Sequence, residues 1–97
     1  MSLETERRRG VEAQRLLDEP LLAEAFATLQ AKLTGAWLDT ADTQERERER
    51  LWLSLRLLGA IKDHLRNIVA TGKMADIQIV AAKQKTADEK ARKRGKR

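Results

Sequence analysis

LWLSLRLLGAIKDHLRNIVATG, residues 51–72, decides the architecture. Leu51, Leu55, Leu57, Leu58, Ile61, Leu65, Ile68 and Val69 recur at helical spacings. Together they span about 160° of a helical wheel, wider than one partner helix covers. Trp52 and Leu53 point away from that stripe, so the segment has more apolar surface than a two-helix hairpin can hide. Thr71-Gly72-Lys73 reads as a C-terminal stop, with Gly72 as the left-handed residue. Upstream, Glu45 to Arg50 alternates in sign, which suits a solvated face supported by i,i+3 and i,i+4 pairs. Asp42 and Glu45 have capping-box spacing. The pattern predicts a helix over about Thr43 to Ala70.

Before it, Leu22, Phe26, Leu29, Leu33 and Trp37 share one face of a second predicted helix, about Glu19 to Leu38. Asp18-Glu19-Pro20 reads as its start, because Pro in a first turn forgoes a hydrogen bond that has no intrahelical acceptor. Asp39 to Thr43 is a short connector. A polar helix from about Leu3 to Leu17 precedes both. Strand signals are weak, the nearest being Ile77, Ile79 and Val80. The expected fold is all-α: an antiparallel helical hairpin with an additional N-terminal helix and a basic C-terminal tail. Residues 1–73 form the helical body, 74–82 a short apolar docking segment led by Met74, and 83–97 the basic tail.

Charge is segregated along the chain. Residues 83–97 hold eight cations (Lys83, Lys85, Lys90, Arg92, Lys93, Arg94, Lys96 and Arg97) against Asp88 and Glu89. That net of +6 exceeds the +5 of the whole chain, so residues 1–82 are nearly neutral. A neutral body with a cationic tail calls for a polyanion or an acidic protein surface as partner. With little apolar content to fold it, the run Ala91-Arg92-Lys93-Arg94-Gly95-Lys96-Arg97 is expected to be disordered alone and to order against phosphate. No aromatic residue is interleaved with its cations, so stacking on single-stranded bases is not indicated. Arg7-Arg8-Arg9, by contrast, is offset by Glu4, Glu6 and Glu12.

Composition narrows the function classes. The chain has no Cys and no Tyr, one His and two Ser. Disulfides and thiolate metal sites are thereby excluded. Ser54 and His64, ten residues apart on one helix, would lie about 15 Å apart along its axis, too far to act together. Asp39, Asp42 and Glu45 lack calcium-loop spacing, and helix capping accounts for them. Gly72-Lys73 lacks the upstream glycines of a phosphate-cradling loop. No enzymatic activity and no cofactor are implied. There is no signal-peptide pattern, and apolar runs fall far short of the roughly 20 residues that span a bilayer. The expectation is a cytoplasmic chain without membrane contact.

Arg8-Arg9-Gly10-Val11-Glu12-Ala13, Leu16-Leu17-Asp18-Glu19-Pro20-Leu21-Leu22, Ala36-Trp37 and Leu51-Trp52-Leu53 also carry a likeness. Over about Arg7 to Asp76 the chain resembles small helical proteins encoded in the virion and DNA-packaging gene clusters of tailed bacteriophages. The resemblance implies an assembly setting (capsid, portal or packaging machinery) with many identical copies, in the host cytoplasm or the virion. That group has no uniform function, so no binding residue is carried over. The polar first helix and Pro20 depart from the helix-turn-helix of a small terminase subunit.

These readings predict a non-enzymatic, oligomeric helical assembly protein. Leu51, Trp52 and Leu53 would contact another copy or a phage structural protein, and the tail would contact DNA or an acidic protein surface. Two other classes fit the same features. One is a sequence-independent nucleic-acid-binding accessory protein acting alone; the other is a small helical inhibitor of a host enzyme.

Overall fold

The computed structural model describes residues 1–95, which form three helices: α1 (Leu3–Asp18), α2 (Pro20–Leu38) and α3 (Glu45–Gly95). No strand occurs among the described residues. At 51 residues, α3 is about 76 Å long and is the spine of the molecule. The shape is correspondingly elongated, 84 × 25 × 17 Å. Its radius of gyration is 22.5 Å, against about 12.5 Å for a compact chain of this length.

Local chemistry sets the helix ends. Ser2 caps α1, its Oγ accepting the Thr5 N–H at 3.2 Å. One extended residue, Glu19, separates α1 from α2. The following Pro20 disfavours helical backbone at Glu19, and α2 begins with that proline at its first turn. At the next connection the expected Asp42–Glu45 box is replaced by another pair. The Ala41 N–H donates to Gln44 Oε1 at 2.8 Å, and α3 starts at Glu45.

The expected stop at Gly72 is overturned. α3 runs through it, and no glycine among the described residues has positive φ. Gly72 is instead where α1 crosses. A Cβ built on Gly72 would stand 2.7 Å from the Gly10 Cα, and one on Gly10 would stand 2.7 Å from the Gly72 Cα. Only two hydrogens facing each other allow the backbones so close. Around this point lie the buried apolar residues Ala13, Ala75 and Ile79. Met74 to Ala82 is therefore continuous with α3 and is not a separate docking helix.

α1 contacts α3 far more extensively than α2 does. Gly10 meets Gly72 while Arg7 approaches Asp76 at 3.9 Å, so position falls along α1 as it rises along α3. The same opposite sense relates α2 to the first half of α3. The Arg48 guanidinium lies 4.3 Å from the Trp37 ring centre, and Lys62 Nζ lies 5.8 Å from that of Phe26. α2 has no fully buried residue; Leu22, Phe26, Leu33 and Trp37 are half-buried and Leu29 is exposed.

Arg48 also departs from its expected solvated role. Its Nη1 donates to Thr40 Oγ1 at 2.8 Å, and Thr40 Oγ1 donates to the Trp37 carbonyl at 2.6 Å. Guanidinium, ring and turn thus form one connected cluster where α2 hands over to α3.

Candidate binding arm and exposed apolar face

Two surfaces remain once the helices have packed. The first is the end of α3. Ile79 is its last buried position, and every residue from Val80 to Arg94 is exposed. Lys83, Lys85, Lys90, Arg92, Lys93 and Arg94 all lie on this overhang, whereas Lys96 and Arg97 lie outside the described residues. The expected disorder from Ala91 onward is corrected as far as the described residues go: α3 is helical through Gly95. Ala, Gln, Glu, Lys and Arg are strong helix formers, and Arg92, Lys93 and Arg94 complement the negative end of the helix dipole. Asp88–Arg92 and Glu89–Lys93 add favourable i,i+4 spacing. Among the described residues no arm cation is within ion-pair distance of a carboxylate, so the charges face solvent.

The second surface is apolar. Trp52 and Leu53 are 49% and 51% exposed. Leu51 is half-buried and aligns with Leu55 and Leu58 on the side of α3 that faces α2. Leu57 and Ile61, assigned by periodicity to the inward stripe, are exposed and continue the Leu53 line at four-residue intervals. The signal was present in that spacing. It was obscured because Leu57 and Ile61 sit at one edge of the wide stripe, and only α2's position decides which edge is covered. The Arg56 guanidinium lies 5.0 Å from the Trp52 ring centre, so this Trp keeps a cation over its face. Further along, Met74, Ile77 and Val80 are exposed as well.

Total accessible surface is 8096 Å², against about 5,600 Å² for a compact monomer of this mass.

Two open grooves lie beside the α1–α3 crossing. The larger, about 860 Å³, is bordered by Arg7, Val11, Val69, Asp76 and Ile77. The smaller, about 250 Å³, has His64 and Asn67 on its wall. Arg7 in the larger groove is engaged by Glu4 at 2.9 Å as well as by Asp76. Ser54 Oγ donates to the Arg50 carbonyl one turn back, at 2.8 Å. Among the described residues no three His, Cys, Asp or Glu side chains converge as metal ligands, and no helix is long and apolar enough to cross a membrane. What the arrangement offers is contact: an exposed row of cations at one end and an uncovered apolar flank nearer the other.

No family model, curated protein or solved structure matches the chain.

Proposed function

We propose that the chain is a non-enzymatic helical assembly protein that works as a homo-oligomer, in phage virion assembly or DNA packaging. In this reading an antiparallel α2–α3 hairpin and the crossing α1 are the body. Copies, or a structural partner, meet along the flank containing Trp52 and Leu53. The basic arm contacts DNA or an acidic protein surface, in the host cytoplasm or the virion. The observation that carries the reading is the separation of the two exposed surfaces. Apolar side chains without a covering element call for a protein neighbour. Exposed cations with no carboxylate partner call for an anionic one.

The test combines light-scattering mass with duplex-DNA titration, on the full chain and on a chain ending at Ala82. Because Ile79 is the last buried position of α3, the shorter chain keeps every buried residue of the body. A discrete oligomer from both chains, with salt-sensitive DNA binding by the longer alone, is the expected result. A monomer at high protein concentration would sink the oligomer.

The bare arm also favours a second reading, a sequence-independent nucleic-acid-binding accessory protein that acts alone. It predicts a monomer with the same salt-dependent binding.

A further inference from the structure

Once the arm is a helix, its six described cations fall into two groups. Residues three and four apart are neighbours on a helix surface. Lys85, Arg92 and Lys93 each have Asp88 or Glu89 at one of those spacings. Lys83, Lys90 and Arg94 have no acid at either spacing. At about 100° per residue these three fall within an arc of about 40°, with Ala87 beside them. The arm therefore has one face of uncompensated positive charge over small side chains, and another where cations and acids alternate.

We propose that Lys83, Lys90 and Arg94 form the contact face for phosphates of duplex DNA, with the Lys85–Asp88–Glu89–Arg92 side turned away. The proposal rests on the reading that the arm engages a polyanion and names which residues do so. Duplex DNA is favoured over an acidic protein because no side chain from Ala81 to Arg94 is an apolar group larger than Ala. A protein interface draws its energy from aromatic and other large anchors seated in pockets, and the arm has none. Phosphate contacts need only correctly placed cations. An unpacked helix about 10–12 Å across also matches a major groove about 12 Å wide.

Two full-length variants with equal charge loss test the face. Lys90→Gln with Arg94→Gln alters the uncompensated side; Lys85→Gln with Arg92→Gln alters the mixed side. Gln is close to Lys and Arg in helix propensity, and circular dichroism checks that helicity is retained. Each is titrated with a mixed-sequence duplex between about 50 and 200 mM salt. The first pair is expected to weaken binding more than about tenfold and to lower the slope of log affinity against log salt by about 1.8, two phosphate contacts at about 0.9 each. The second pair should stay within about threefold, keeping the wild-type slope. Equal weakening by both pairs overturns the face assignment while leaving arm binding in place. A wild-type chain that ignores duplex but binds poly-glutamate overturns the proposal in favour of an acidic protein. Binding to neither removes the polyanion reading as well.

Discussion

Against α2, the first half of α3 presents Leu51, Leu55 and Leu58, and no residue of α2 becomes fully buried. Against α1, the second half presents Gly72, Ala75 and Ile79, and all three are buried. The half with the larger side chains is the one with less core. Large side chains hold two helices about 8–10 Å apart, and a pair of cylinders cannot surround what lies between them. Small residues bring backbones together, so the helices themselves cover the contact. Ala75, 1% exposed, is enclosed in this way. A strong amphipathic stripe therefore shows where burial is wanted, while burial within the chain is achieved where the stripe is small enough to let helices close.

The comparison breaks most readily at the crossing. Gly72→Ala or Gly10→Ala should destabilise the fold by about 2–3 kcal/mol, because a methyl 2.7 Å from a Cα forces the helices apart. Urea unfolding measures it, and an unchanged midpoint would show that the helices are not in such close contact.

A smaller loss is expected where α2 turns into α3. Arg48→Ala removes a ring-stacked cation and a charged hydrogen bond to Thr40, about 1–2 kcal/mol together. Trp37 fluorescence should shift toward that of a solvated indole, in a background where Trp52 is replaced by Phe.

Gly59→Ala sharpens the contrast by reversing the sign. Nothing lies within 4 Å of a Cβ built there, so the helix should gain about 0.5–1 kcal/mol from reduced backbone entropy in the unfolded chain. A loss similar to that of Gly72→Ala would mean glycine at Gly59 is required for a contact with another chain. The smallest effect belongs to the arm. Ending the chain at Ala82 should change unfolding free energy by less than about 0.5 kcal/mol, because no buried residue follows Ile79. A larger drop in thermal unfolding temperature would show that the overhang packs on something.

Much of the helical architecture was legible in residue order. The α1–α2 break follows from Pro20, which acts on its immediate neighbour. Spacing alone put Leu22, Phe26, Leu29, Leu33 and Trp37 on one face, but not that Leu29 stays exposed there. The candidate arm was legible as charge, since eight cations against two acids need no coordinates to count. Its division into faces required knowing that it is helical. The Gly72 stop was misread because Thr-Gly-Lys has the composition of a helix end, and composition does not tell whether another helix crosses there. Arg48 was misread for a related reason, since an alternating Glu/Arg run looks the same whether or not an aromatic ring folds back over one arginine.

Local preference and periodicity thus determined that this chain is helical, where α1 and α2 begin, and which end carries the positive charge, because those depend on neighbours a few residues away. Tertiary structure alone decided that α3 continues through Gly72, that Gly10, Ala13, Ala75 and Ile79 are buried, and that Leu53, Leu57 and Ile61 are left outside. Those outcomes depend on which helix lies against which, a relation between residues some 60 positions apart along the chain.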